Sequence, residues 1–206
     1  MLQAIANGTL LTISGEAARP DYSRVVVQYI GDIEVTDNNQ VDTNIPVQGD
    51  ASAVRHLDLR GLTGAGAHIY WDAPHNNRIT GSSQSDYITA SGLSNDTLLG
   101  GKGDDLLFGG DGNDLLSGDR GHDQLNGGNG DDRINGGAGN DTIDGGAGID
   151  TMIFRGARDE YDIELVNGNY VITDILGARR DGSDTFANVE FLQFSDQIME
   201  IDNVFV

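Results

Sequence analysis

The sequence predicts an all-β chain whose middle is a solenoid of short stacked strands. Three observations predict it. A nine-residue repeat keeps phase through six consecutive blocks, the eighth position of each block is apolar, and glycine and aspartate fill fixed places between. Self-similarity at a short fixed period marks a repeat architecture, in which each unit packs mainly on its neighbours.

The blocks are GGKGDDLLF from Gly100, GGDGNDLLS from Gly109, GDRGHDQLN from Gly118, GGNGDDRIN from Gly127, GGAGNDTID from Gly136 and GGAGIDTMI from Gly145. Upstream the pattern decays. SGLSNDTLL from Ser91 and GSSQSDYIT from Gly81 keep the sixth-position Asp96 and Asp86, with Ala90 as one extra residue, and DAPHNNRIT from Asp72 has Asn77 there. The eighth position holds Leu107, Leu116, Leu125, Ile134, Ile143 and Met152. Its polar flanks in the later blocks suit a thin strand with one inward face.

Each block divides into a six-residue turn and a three-residue strand. Glycines at the first, second and fourth positions allow positive φ and close backbone approach, so carbonyl oxygens can converge. The sixth-position carboxylates Asp96, Asp105, Asp114, Asp123, Asp132, Asp141 and Asp150 add charge. Carboxylate plus carbonyl is an all-oxygen donor set, and a flexible one favours Ca2+ over strictly octahedral Mg2+.

Composition supports a role for ions in folding. Of 206 residues, 37% are hydrophobic, 6% are aromatic and 30 are glycine, which leaves little apolar mass for a core. One buried aliphatic per repeat contributes about 1.5 to 3 kcal/mol. Ordering the backbone costs about 1 to 2 kcal/mol per residue, so ion binding is expected to be coupled to folding. The 33 acidic against 12 basic residues give a net charge of −21, which opposes compaction unless cations neutralise it. Nucleic acid and anionic membrane are poor partners for such a surface. Cysteine is absent, which removes thiol chemistry and thiolate metal sites. No stretch approaches the roughly 18 apolar residues of a membrane span.

The flanks read differently from the repeats. Residues 1–71 form an N-terminal β-rich segment, with β-branched runs at Arg24 to Ile30 and Ile33 to Thr36 broken by Asn, Asp, Gly and Pro. Tyr70 and Trp71, at its end, are expected to plug the open N-terminal end of the repeats at 72–153. Residues 154–206 form a C-terminal β cap. There Tyr161 to Val166 and Tyr170 to Thr173 flank Asn167-Gly168, a strong hairpin signal. Short strands are expected at Phe191 to Phe194 and Ile198 to Ile201.

The blocks resemble the GGxGxDxUx nonapeptides of the RTX (repeats-in-toxin) family. That resemblance implies a right-handed parallel β-roll, two repeats to a turn, with Ca2+ held between one repeat and the next but one. Carried over by position, one ion would take carbonyls of Gly101 and Gly103 with Asp105, and carbonyls of Gly118 and Arg120 with Asp123. The adjacent row would join Gly110, Gly112 and Asp114 to Gly127, Asn129 and Asp132. Continuing, Asp119, Gly121 and Asp123 would meet Gly136, Ala138 and Asp141, while Gly128, Gly130 and Asp132 would meet Gly145, Ala147 and Asp150. A weaker site would join Gly92, Ser94 and Asp96 to Gly109, Asp111 and Asp114. Asp119 departs from the pattern by replacing the second glycine.

The segment from Asp181 to Asp196 is similar to the DGTDTLxNVExLQFxD stretch that follows the repeats in large RTX proteins, and Asp202-Asn203-Val204-Phe205-Val206 resembles the terminus of some type I secretion substrates. The resemblance therefore implies a secreted, extracellular calcium-binding protein, exported by type I secretion machinery and folded by calcium outside the cell. Met1 to Leu11 has no basic and apolar leader pattern, in keeping with an uncleaved signal. Two other roles fit: a calcium-dependent adhesin or polysaccharide-binding matrix component at a cell surface, and the C-terminal module of a secreted protease, lipase or alginate epimerase.

Residues with other chemistry read as structural. His56, His68, His75 and His122 lack H-E-x-x-H spacing, and Ser82, Ser83 and Ser85 lack a G-x-S-x-G elbow. No catalytic residue is expected. Fifth-position Asp104 and Asp131 read as solvated surface charge.

Overall fold

The computed structural model describes residues 2–6, 9–13, 33–37, 44–47, 56–62, 66–72, 76–176 and 181–201. Among them the chain is almost wholly β, with one 3-10 turn at Arg158–Glu160. Successive repeat strands alternate between two sheets, one of eleven strands and one of nine. Two nonapeptides therefore make one turn, and residues 18 apart stack, as Leu107 does on Leu125 and Leu98 on Leu116.

The strands are longer than expected. Thr97–Lys102, Leu106–Asp111, Leu115–Arg120, Gln124–Asn129, Arg133–Ala138 and Thr142–Ala147 each have six residues, whereas three were expected. Each runs from the seventh position through the third of the next block, because bare glycine backbone lets adjacent turns stay in the ladder. Gly110 pairs with Gly128, which pairs with Gly146. A Cβ on Gly128 would stand 2.0 Å from the Gly110 carbonyl oxygen.

Period-two alternation sends the eighth position inward from both sheets. One row stacks Leu57, Ile79, Leu98, Leu116, Ile134, Met152 and Leu192. The other stacks Ile69, Ile88, Leu107, Leu125, Ile143 and Phe186. All are buried, and the core is these two rows facing each other. Leu116, fully buried between Leu98 and Ile134, has little around it that can collapse. Leu116→Ala is expected to cost about 2 to 5 kcal/mol, measured by denaturant unfolding in calcium.

The parallel ladders continue upstream of residue 72. Ile33–Asp37 pairs with His56–Leu62, which pairs with Arg78–Thr80, and Asn44–Val47 pairs with His68–Asp72, which pairs with Tyr87–Ser91. The backbone of Tyr70 and Trp71 thus lies between two strands inside a ladder, not at the open end where a plug was expected. Without the glycine and aspartate code, nothing in the sequence marks these strands as part of the stack. The strand expected at Arg24 to Ile30 falls outside the described residues. At the upstream edge Leu2–Ala6 pairs antiparallel with Thr9–Ile13 and with Ile33–Asp37.

At the other end the cap converts parallel pairing to antiparallel. Tyr161–Val166 and Asn169–Asp174 form the expected hairpin. Asn167 (φ 53°) and Gly168 (φ 88°) supply the two positive φ angles of a tight primed turn. Ser183–Ala187 lies parallel on Thr142–Ala147 and antiparallel to the hairpin, and Phe191–Gln193 lies parallel on Thr151–Ile153 and antiparallel to Ile198–Glu200. Phe154, Tyr161 and Phe194 close the core, with ring centroids 5.1 to 5.3 Å apart.

Candidate metal site in the repeat turns

Every sixth-position aspartate turns inward. Asp96, Asp105, Asp114, Asp123, Asp132, Asp141 and Asp150 are all 3% exposed or less. In each, Oδ1 accepts the backbone N–H of the sixth-position residue one turn earlier. Asp105 accepts from Asp86 at 2.8 Å, Asp123 from Asp105 at 2.8 Å, and Asp141 from Asp123 at 2.8 Å. On the other face Asp96 accepts from Asn77 at 2.8 Å, Asp114 from Asp96 at 2.7 Å, Asp132 from Asp114 at 2.7 Å, and Asp150 from Asp132 at 2.8 Å.

The second oxygen is the anomaly. Oδ2 of Asp105, Asp114, Asp123, Asp132, Asp141 and Asp150 is buried with no hydrogen-bond partner among the described residues. A buried carboxylate oxygen without a partner is costly, and six in two regular rows need a common partner. Burial pushes Asp105 up to about 8, Asp114 and Asp123 to about 7, and Asp132 and Asp141 to about 6. The ladder N–H opposes that rise in each. Neighbouring carboxylates add to it, while at Asp141 His122 works against it.

The first-position glycine makes the space. A Cβ on Gly109 would stand 2.4 Å from Asp114 Oδ2 and 2.5 Å from the Gly127 carbonyl oxygen, and Gly118 and Gly127 have the same surroundings one block on. At Gly136 the neighbour is Asp141, and at Gly145 the Asn188 carbonyl oxygen stands nearest, at 1.9 Å, ahead of Asp150. The residues expected to offer carbonyls from successive turns are joined by backbone hydrogen bonds. Gly103 N–H donates to the Arg120 carbonyl at 3.0 Å, Gly112 to Asn129 at 2.8 Å, Gly121 to Ala138 at 3.0 Å, and Gly130 to Ala147 at 2.8 Å. Asp119 adopts the left-handed backbone (φ 72°) that its neighbours in the ladder, Gly101 and Gly137, reach as glycines.

No group of three or more His, Cys, Asp or Glu converges as a metal cluster among the described residues. A cation here would draw on two carboxylates and on backbone carbonyls, an all-oxygen set that fits Ca2+.

In the decayed blocks the chain's own donors reach both carboxylate oxygens. Asp86 accepts Ser82 N–H at 2.6 Å on Oδ2 and the Ser82 hydroxyl at 2.9 Å on Oδ1. In the Gly92 block, Ser94 Oγ donates to Asp96 Oδ2 at 3.3 Å. Where glycine has become serine, a protein donor therefore reaches the second oxygen, the Ser82 N–H at Asp86 and the Ser94 hydroxyl at Asp96. Ser82 was read in sequence only as a failed nucleophile.

Asp104 and Asp131 are exposed, as expected, but they are more than solvated charge. The polar fifth-position side chains each accept a backbone N–H from the next turn. Asp104 accepts from His122 at 2.8 Å, His122 Nδ1 from Asn140 at 2.9 Å, and Asn140 from Ser183 at 3.1 Å. On the other face Asn95 accepts from Asn113 at 2.9 Å, Asn113 from Asp131 at 3.0 Å, and Asp131 from Ile149 at 2.9 Å.

The sixth-position ladders also end on residues the repeat pattern missed. Asp184 Oδ1 accepts from Asp141 N–H at 2.9 Å, and Glu190 Oε2 from Asp150 N–H at 2.7 Å. The signal was present: Gly182-Ser183-Asp184-Thr185-Phe186 repeats the pattern of Gly139-Asn140-Asp141-Thr142-Ile143.

Residues 91–125 and 117–152 match the family model for the RTX calcium-binding nonapeptide repeat (4 copies). No curated protein matches the chain. The matched residues include all six aspartates with an unpartnered Oδ2 and exclude Asp86, whose carboxylate Ser82 satisfies.

Proposed function

Starting from residues 91–152 as RTX calcium-binding nonapeptide repeats, we propose that the chain is a secreted protein whose folding is driven by Ca2+ outside the cell. The observation that carries this reading is the double row of buried, unpartnered Oδ2 atoms. Bound Ca2+ supplies the positive charge those oxygens lack. The chain's own residues supply the rest. Gly101, Gly103 and Asp105 act with Gly118, Arg120 and Asp123, and Gly110, Gly112 and Asp114 with Gly127, Asn129 and Asp132. Asp119, Gly121 and Asp123 act with Gly136, Ala138 and Asp141, and Gly128, Gly130 and Asp132 with Gly145, Ala147 and Asp150. The pair of Gly92, Ser94 and Asp96 with Gly109, Asp111 and Asp114 is weaker, because Ser94 already serves Asp96.

At the low free calcium of a cytosol, the acidic turns repel one another and the chain stays open for export. At extracellular calcium the carboxylates of successive turns would no longer repel one another, and the turns would be free to stack. The repeats have no catalytic part in this reading, and among the described residues no helix is long and apolar enough to cross a membrane. Circular dichroism of the full chain at about pH 8, where the buried carboxylates would be charged, is expected to show β structure in millimolar Ca2+ and its loss in EDTA. Calorimetry should give roughly four to six ions at oxygen-ligand affinity. Equal β content in EDTA and calcium would refute the proposal.

A further inference from the structure

We infer that the cap segment Asp181–Asp184 is a concealed turn of the solenoid that completes one more Ca2+ site, clasping the C-terminal cap onto the repeats. The inference rests on calcium binding by the repeats and extends it to residues outside their pattern.

The geometry of a repeat turn is reproduced at its fourth, fifth, sixth and eighth positions. Gly182 has φ 75°, and a Cβ there would stand 1.6 Å from the Gly139 carbonyl oxygen, as one on Gly139 would from that of Gly121. Ser183 N–H continues the fifth-position ladder onto Asn140, and Asp184 continues the sixth. Phe186 stacks on Ile143 in the eighth-position row. Asp184 is 2% exposed, as an inward sixth-position carboxylate should be.

Two orphaned oxygens belong to carboxylates that this turn brings near one another. Asp141 Oδ2 and Asp181 Oδ1 are both buried without a hydrogen-bond partner among the described residues. Asp181 uses its other oxygen to accept the Tyr161 hydroxyl and the N–H of Arg155 at 3.1 Å. It therefore ties the first residue of the cap hairpin to the segment that leaves the last repeat. By position, the ion would take carbonyls of Gly137, Gly139 and Asp181 with the carboxylates of Asp141 and Asp184.

The opposite face differs. Glu190 closes that ladder on Asp150, and the Asn188 carbonyl oxygen takes the first-position place against Gly145. Val189 alone separates Asn188 from Glu190, where a repeat has four residues. That turn has no glycine carbonyls to form a cradle, so the cap carries a site on one face.

Native mass spectrometry of the full chain in calcium tests this. Asp184→Asn keeps an oxygen for the Asp141 N–H but loses the charge, and it is expected to carry one Ca2+ fewer than the parent. Glu190→Gln is expected to carry the same number as the parent. An unchanged count in Asp184→Asn overturns the inference, as does an ion lost from Glu190→Gln. A parent chain that binds no calcium at all refutes the proposed function instead. Should Asp184→Asn fail to fold, Tb3+ loading with excitation at the tyrosine band decides. Tyr161→Phe is expected to lose a component of the sensitised emission, and unchanged emission overturns the site.

Discussion

In calcium-free buffer, β structure is expected to persist at about pH 5 and to fade as the pH rises through about 6 to 8. The sixth-position aspartates set this window. In the unfolded chain they titrate near 3.8, whereas burial in the folded solenoid raises Asp132 and Asp141 to about 6, Asp114 and Asp123 to about 7, and Asp105 to about 8. Asp184 is raised further, to about 9. Between the unfolded and folded values, the folded state holds more protons than the unfolded one. Stability therefore falls as pH rises, and the penalty is complete once the folded values have been passed.

A proton on Oδ2 does part of what a calcium ion does, since it removes the charge that burial penalises. Ordinary surface carboxylates protonate near pH 4, so general relief of the −21 charge would appear at lower pH than this transition. Circular dichroism against pH in EDTA should show the loss, and the same titration in millimolar Ca2+ should be flat through pH 8. Calcium binding near pH 7 should also release protons. A β signal in EDTA that grows with rising pH would contradict the buried-carboxylate account.

The eighth-position row and the acidic turns were legible because one residue type at one phase has one physical role. Leu116 and Asp123 could be placed before any coordinates, since a fixed period tells inside from outside. Strand length was misread because glycine signals a turn in isolation, whereas Gly110, Gly128 and Gly146 pair as strand once stacked. The contrast between Asp86 and Asp105 was hidden because it depends on Ser82, whose hydroxyl and N–H settle one carboxylate and leave the other needing an ion. Asp131 looked like solvated charge because exposure alone does not reveal an N–H from the next turn. Asp184 was missed because the hairpin segment after Phe154 breaks the phase before the pattern returns at Gly182. Tyr70 and Trp71 were misplaced because the upstream turns stack without the glycine and aspartate code.

Gly121→Ala is expected to abolish calcium-induced folding of the repeats, a loss of about 4 kcal/mol or more, at the exceptional end for one methyl group. Two causes act together. Gly121 has φ 138°, a conformation L side chains rarely adopt. A Cβ there would also stand 1.8 Å from the Gly103 carbonyl oxygen and 2.6 Å from its carbon. That neighbour is backbone, held by the Gly103 N–H bond to Arg120, so it cannot move aside without parting the two turns that share an ion. Gly168→Ala separates strain from contact. Gly168 also has positive φ (88°), yet a Cβ there meets nothing within 4 Å, so its cost should be near 1 kcal/mol. Calcium titrations of both variants followed by circular dichroism should show Gly168→Ala close to the parent midpoint and Gly121→Ala without a transition. Equal, small effects at the two positions would mean that turn-to-turn contact does not limit ion binding, and the stacked-turn account of the site would fall with it.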